Sequence, residues 1–554
     1  MTYSFDVFDT CLIRKCGIPK NALDILSFHV FTEEVDETVR QLFVASRIAA
    51  QESLWPREDI SLNDIYEAFN YCHPYLVGKE RLIQRELECE EKLLIPIRST
   101  LSKVKELHKK GHHILFVSDM YLPFSFILSL LKNYGFYEDG DKLYLSYKEK
   151  ASKSSGELFR LVKEKEHLQF KKWEHWGDNK QSDYLVPRRL GIRAHLFTAK
   201  STPYVKKWEQ SNYETGTNFK GIIAGLSRAF HNSYPDSIYK DFILDIIAPF
   251  YCSFTHRILK DAQKEGIQTL FFCARDTWQI YLIAKKMNPM FPDIQLKYFH
   301  ISKKALYDSD EQTKLLFFEQ IGLANNTNKN AIVDIRSSGH TLDFLNKLLS
   351  NHHYNKVRGY YFELFSNGKI SYPLDNYYCE INSAYHHNSI KHSNLMGCWH
   401  LYESLFSLNN QKRTIDYTNV NGKSVPVFGE ESDNTEECFL ENKESVIVYY
   451  TNLLSSYTDS YLQMNLYNYS DRIFREIAIP TLMSFFRFPV KYYLKPLEHF
   501  YAYHWIKQKY VPYVKKEPLF ALVKSKGRDT MWRKGTVINS IPLWIIRMLI
   551  AHRR

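Results

Sequence analysis

The first residues able to do chemistry lie within a dozen positions of the start of the chain. Tyr3-Ser4-Phe5-Asp6-Val7-Phe8-Asp9-Thr10-Cys11-Leu12 is an apolar run broken by Asp6, Asp9 and Thr10. A buried strand of a parallel sheet reads as a near-continuous apolar run, and ligands in open α/β sheets bind beyond the carboxyl ends of such strands. A carboxylate there can attack phosphorus or hold a divalent cation. A lone Asp at a strand end is by default a turn or cap residue. Three more strand ends follow in order. Residues 113–117 form an apolar strand ending in Ser118-Asp119; a Ser there can bond a phosphate oxygen or cap the next helix. Residues 143–146 precede Lys148, Lys150 and Lys153, with Ser154-Ser155-Gly156-Glu157 opening a helix, and a lysine beside a helix start suits a phosphate. Residues 173–176 end in Gly177-Asp178-Asn179, with Ser182 and Asp183 close behind.

These strands need a framework that brings their ends together. Between the first strand and the second, about residues 19–107 carry helical spacing and no strand character. One crossover does not need ~80 residues, so the segment reads as a helical cap over the site. Residues 99–110 form an amphipathic helix closed by Gly111.

The ordered set Asp6, Ser118, Lys153, Asp178 and Asp183 resembles the haloacid dehalogenase (HAD) superfamily over about residues 1–198. The resemblance implies an α/β, HAD-like Rossmannoid domain and a Mg²⁺-dependent phosphatase. Asp6 would be the nucleophile forming an aspartyl-phosphate, Ser118 and Lys153 would hold phosphoryl oxygens, and Asp6, the Phe8 carbonyl, Asp178 and Asp183 would secure Mg²⁺. Phosphoryl transfer needs charge neutralisation and positioning above all, which such a set supplies. One position departs from the pattern. Phosphatases of this superfamily place a second Asp two residues after the nucleophile, and here that residue is Phe8. The nearby carboxylate, Asp9, lies one residue further, and alternating side chains on an extended strand would turn it away. Either the backbone turns there or the leaving group is protonated by other means.

Residues 199–238 are polar, with Pro203, Gly216, Gly221 and Pro235, and read as a linker. A second α/β, doubly wound pattern follows over 239–430. Strands at 269–273, 297–300, 330–335 and 357–364 alternate with helices, and polar residues stand at strand ends: Arg275-Asp276, Lys303-Lys304 and Asp334. After Asp334 come Arg336-Ser337-Ser338-Gly339-His340-Thr341 and a helix. An acid, a Ser/Gly/Thr loop and a helix start make an anion site, although a plain cap and turn has the same composition. The segment looks like the phosphoribosyl-pyrophosphate (PRPP) loop of type I phosphoribosyltransferases. That resemblance implies Asp334 on ribose, Ser337, Ser338, Gly339, His340 and Thr341 around the 5-phosphate, and Arg275, Asp276 and Lys303 near the pyrophosphate. Val333 stands where the first acid of that family falls. Together the two halves resemble bifunctional proteins of bacterial surface-polysaccharide assembly, which transfer 5-phosphoribose to a glycan and then remove the phosphate.

The chain has 554 residues, so more than one core is expected. Its 9 cysteines are an odd number and none form C-x-x-C, so neither a disulfide framework nor a zinc site is indicated. The net charge of +11 points to an anionic partner; no nucleic-acid motif accompanies it, so nucleic acid is not expected. The remainder, 431–554, reads as a helical extension whose basic amphipathic end (532–554) suits the surface of a membrane where lipid-linked glycans are built. Within 394–403, Glu403 could deprotonate an acceptor hydroxyl, or simply be a helical position. With Asp6 and Asp9 breaking the N-terminal apolar run, a cytoplasmic protein is expected, peripheral to the inner membrane face at most.

Overall fold

The structure is a computed structural model that describes residues 1–210, 216–236, 240–364, 376–382, 412–429 and 470–487, with short stretches as far as 516. It divides into two compact units, the first built on residues 1–236 and the second on the described residues from 240 onward.

In the first unit, β1 (Thr2–Phe5) leads through a turn to β2 (Leu12–Arg14). Four helices follow: α1 (Pro19–Leu26), α2 (Glu37–Ser53), α3 (Leu62–Ala68) and α4 (Lys79–Leu93). The chain then returns through β3 (Leu94–Pro96), which pairs antiparallel with β2. This pairing closes the helical insertion at Leu93. The expected cap boundary near residue 107 is therefore too late, because α5 (Arg98–Lys109) is the crossover helix leading to β4 (Ile114–Ser118). Next come α6 (Phe124–Asn133), β5 (Lys142–Leu145), β6 (Trp173–Gly177) and β7 (Arg193–Leu196). The parallel sheet runs β5-β4-β1-β6-β7. The chain builds one side of β1 and then the other, so the carboxyl end of β1 lies where strand order reverses, the usual place for a ligand in such sheets. Every residue of β4 is buried, as a central parallel strand requires.

The cap is held by charge as well as by apolar packing. Arg47 of α2 forms a fork on Glu86 of α4, with bonds of 3.0 and 2.7 Å, and both side chains are buried. The Tyr66 hydroxyl donates to the same carboxylate at 2.6 Å. A capping box of Ser61 and Asp64 starts α3, and Asp36 caps α2.

The stretch expected to be a linker, 199–238, instead carries helices Pro203–Glu209 and Phe219–Ser233, and the second contacts α5, β2 and β3. Close approach explains the fit. A Cβ on Gly225 would stand 2.0 Å from the Gly17 backbone nitrogen, so no larger residue allows this contact.

The second unit has a parallel sheet of β8 (Thr269–Cys273), β9 (Gln295–Phe299), β10 (Asn330–Ser337), β11 (Arg358–Leu364) and β12 (Tyr377–Asn382). Its order is β12-β11-β10-β8-β9, so strand order reverses between β8 and β10. The sheet is the doubly wound pattern expected, with one more strand, β12. Residues 414–428 form a hairpin of β13 (Thr414–Val420) and β14 (Lys423–Phe428). Asn421-Gly422 takes positive φ at both positions, as a tight hairpin turn demands. Within the expected helical extension, 470–487 is helical, with Phe474 against Phe250 and Phe362. A short strand pair, β15 (Tyr501–His504) with β16 (Lys509–Pro512), departs from that expectation. Segments 394–403 and 532–554, with Glu403, lie outside the described residues. Among the described residues one helical run, Lys240–Lys264, is long and apolar enough to cross a bilayer; 94% of its apolar window is buried inside the protein.

Removing one partner of a buried ion pair strands the other charge, at a cost of about 3–5 kcal/mol. Arg47→Ala is expected to lower the opening free energy of α2–α4, read by amide hydrogen exchange, by that amount. The apolar double replacement Arg47→Met with Glu86→Leu is expected to recover most of it.

Candidate functional site

Asp6 directly follows β1, with its N–H donating to the Trp176 carbonyl on β6 at 2.8 Å. The Lys153 ammonium, reached from the loop after β5, donates to Asp6 Oδ1 and Asp183 Oδ1, each at 2.6 Å. All three side chains are buried. Asp6, Asp178 and Asp183 each offer an oxygen within 4.8 Å of the others, a group able to hold a metal ion. Ser118 closes β4 and is 2% exposed. Asp6, Phe8, Asp9, Ser118, Lys153, Asp178 and Asp183, all singled out in the sequence, line one cleft of about 730 Å³.

The charges do not balance. Burial, with Asp183 and Asp178 nearby, pushes the Asp6 carboxyl up to about 8 in spite of Lys153. Asp178 is pushed up to about 6 by burial and by the charges of Asp9 and Asp183. Asp183 goes the other way: burial opposes it, but Lys153 and His175 hold its carboxyl below the ordinary range. Lys153 is held charged, its desolvation overcome by Asp6, Asp183 and Asp119. Where Asp6, Asp178 and Asp183 converge the site is thus anionic, with Lys153 bonded to two of the three acids.

Several supports were not singled out in the sequence. Asp119 takes the Lys153 backbone N–H on both carboxylate oxygens, at 2.8 and 3.1 Å, which fixes the lysine loop. Behind Asp183 runs a buried relay: Trp173 Nε1 donates to Ser4 Oγ at 2.7 Å, Ser4 lies 2.8 Å from His175 Nδ1, and His175 Nε2 lies 3.2 Å from Asp183 Oδ1. Burial lowers the His175 pKa, against the pull of Asp183; with Nε2 as the donor to Asp183 and Nδ1 accepting from Ser4, the donors and acceptors of the relay match. Gly177 ends β6 because a Cβ there would stand 2.4 Å from Asp183. Asn179 caps the following turn through Gln181 and Ser182, and its own N–H donates to Asp183 Oδ2. Asp119 and Asn179 were visible as strand-end polar residues; nothing in the spacing marks His175.

Asp9 settles the open question of the turn. The N–H groups of Cys11 and Leu12 both donate to the Val7 carbonyl, and Asp9 takes φ +54°, a left-handed conformation that Asp tolerates. The backbone therefore turns at Asp9 and the residue lines the cleft, with Oδ1 3.7 Å from Arg228. Phe8 lies beneath the Arg14 guanidinium, 4.8 Å from ring centre to carbon. Arg14 is itself tied to Glu90 of the cap at 3.0 Å.

In the second unit, Asp276 follows β8, Lys303 opens the helix after β9, and Asp334 stands near the end of β10. Asp276 and Asp334 flank the reversal between β8 and β10, and Lys303 stands one strand further out, after the edge strand β9. Burial and the charge of Asp276 push Asp334 up to about 7, with Lys303 acting against them. Burial also raises Asp276, opposed by Arg275. The loop after Asp334 is tighter than expected: the Gly339 N–H donates to Ser337 Oγ at 3.1 Å, Gly339 has φ +86°, and the helix begins at His340. His340 and Thr341 therefore lie in the first helical turn, with Ser338 between the two turn residues. Arg336 points to the neighbouring strand, where it pairs with Glu363 at 2.9 Å.

No protein-family model matches the chain, and no curated protein matches it. Solved structures of low identity are similar to part of it. One is a HAD family enzyme from Bacteroides thetaiotaomicron in complex with magnesium and inorganic phosphate, at 16% identity and TM-score 0.27, over 36% of this chain and 96% of that one. A HAD phosphatase from Thermococcus onnurineus matches at 16% identity and TM-score 0.27, over 36% and 87%. L-2-haloacid dehalogenase from Xanthobacter autotrophicus matches at 13% identity and TM-score 0.29, over 40% and 86%.

Proposed function

We propose that the first unit is a Mg²⁺-dependent phosphatase of the HAD type that works through an aspartyl-phosphate on Asp6. The observation that carries this reading is the convergence of Asp6, Asp178 and Asp183 within 4.8 Å, beside a lysine bonded to two of them. Asp6 would attack phosphorus, Lys153 and Ser118 would hold the phosphoryl oxygens, and Asp9 would serve the leaving group in place of the acid absent at Phe8. Asp6, Asp178 and Asp183, with the Phe8 carbonyl, would hold the Mg²⁺. Oxygen donors and a surplus of negative charge suit that ion. When bound, it would neutralise charge on the phosphoryl group. The cap would exclude bulk water and choose the substrate.

For the second unit, the reading is transfer of 5-phosphoribose from PRPP to a glycan, lipid-linked at the membrane surface, which the first unit then dephosphorylates. The support is the placement of Asp276 and Asp334 at the reversal of strand order, with Lys303 after the neighbouring strand acting on Asp334, beside a Ser-Ser-Gly turn and a helix start. A phosphatase whose second unit only binds glycan is the rival. With PRPP, Mg²⁺ and a glycan acceptor, Asp334→Asn is expected to stop pyrophosphate release. Asp6→Asn is expected to release pyrophosphate, to accumulate phosphoribosyl-glycan, and to lose phosphate release by more than about a thousandfold. Phosphate release from sugar phosphates without any pyrophosphate release favours the rival.

A pH dependence follows from the charge imbalance. Asp6 and Asp178, raised from 3.8 to about 8 and about 6, bind more protons folded than unfolded across that window. Metal-free stability should therefore fall as pH rises from about 4 to about 8, and Mg²⁺ should offset the loss. The rise in Tm on adding Mg²⁺ is expected to be larger at about pH 8 than at about pH 5. An equal rise at both, or none, would count against the metal site.

A further inference from the structure

The phosphate-sized end of the cleft is a small part of the space beneath the cap. A second cleft, of about 830 Å³, continues from the first and shares Gln51, Glu52, Asp119, Met120, Tyr121 and Ser154 with it. Each is as large as a whole site for a drug-sized molecule, roughly 300–1,000 Å³. A monosaccharide phosphate leaves the second one unused.

Its lining is specific in character. Trp55, two residues past the end of α2, is 79% exposed, the most exposed of the large apolar side chains among the described residues. Opposite charges and hydroxyls complete the wall. Glu58 accepts from Ser152 Oγ at 2.7 Å, which ties the cap to the residue just before Lys153. Ser154 and Ser155 are exposed beside it. Among the described residues Arg57 is the one cation lining this second cleft, and it is engaged by Asp59 at 3.0 Å and by Asp64. Glu52, Glu58 and Asp119 add negative charge. Such a surface disfavours a second phosphate or a polyphosphate and suits a neutral ligand with many hydroxyls and one apolar face.

With the phosphate seated as in the phosphatase reading above, we infer that the second cleft is a saccharide subsite: the substrate is an oligosaccharide phosphorylated on its terminal sugar, and Trp55 is the platform on which an inner sugar ring stacks. Gln51 and Glu52, at the junction of the two clefts, take hydroxyls of the ring between.

The test compares ribose 5-phosphate with a trisaccharide bearing one terminal phosphate, on the full chain with Mg²⁺. Wild type is expected to prefer the trisaccharide phosphate. Trp55→Ala should lower the ratio of the two kcat/KM values about tenfold, through KM for the longer substrate, and Trp55→Phe should keep most of it. Calorimetric titration with the unphosphorylated trisaccharide should show binding to wild type and to Trp55→Phe that is weakened about tenfold in Trp55→Ala. A ratio that Trp55→Ala leaves unchanged overturns the subsite. Hydrolysis of neither substrate overturns the phosphatase reading alone, because the titration still decides the subsite. Binding of AMP through Trp55, with no binding of the trisaccharide, assigns the platform to a nucleobase and overturns the saccharide assignment.

Discussion

Lys153 bridges Asp6 and Asp183 across the carboxyl ends of the sheet, and the rest of the first unit is arranged to allow it. An ammonium that is 3% exposed must be paired, and two ionised acids so close to each other must share a cation. One lysine cannot neutralise both of them and Asp178 as well. The consequence is a site in which Asp183 stays ionised while Asp6 and Asp178 are driven toward protonation. In the proposed phosphatase reading, a divalent cation would offset this surplus of negative charge and let a phosphate enter beside it. The neighbouring features serve this geometry. Asp119 fixes the lysine loop, His175 braces Asp183, and Gly177 leaves room for Asp183 to approach the strand end.

The cap uses charge in another way. Arg47 with Glu86, and Arg14 with Glu90, are buried pairs in a layer where apolar side chains would serve stability as well. Their value lies in position. Tyr121, on the loop after β4, reaches Glu86 at 3.4 Å, and its carbonyl takes the Leu62 N–H. The loop carrying Ser118 and Asp119 is thus joined to the cap helices that line the cleft. Cap residues and the residues at the end of β4 are set relative to one another by directional bonds.

Much of this was legible in the sequence because strands buried on both faces announce themselves. Residues 269–273 and 113–117 read as strands by apolar content alone, and polar residues close to the end of each stand where ligands bind in sheets of this kind. Order along the chain then carried more information than any single residue. What escaped was set by tertiary contact. The end of the cap is fixed by β2 pairing with β3, a partner eighty-odd residues distant, which no local period reveals. The segment 219–233 lost its linker character to a glycine-to-glycine approach with Gly17, again non-local. His175 sits mid-strand in Trp173-Glu174-His175-Trp176, where its type signals nothing until Asp183 folds back on it. The hairpin at 414–428 turns on Asn421-Gly422, a local turn signal that the four-strand pattern of the second unit did not use.

The central claim is that Asp6 takes up the phosphoryl group. Acid-quenched turnover of a sugar phosphate by the full chain with Mg²⁺, followed by peptide mass spectrometry, tests it most directly. The expected result is one added phosphoryl mass on the peptide carrying Asp6, assigned to that side chain by fragmentation and absent from Asp6→Asn. Phosphate release at full rate from Asp6→Asn, or a phosphoryl group found on another residue in wild type, would contradict it.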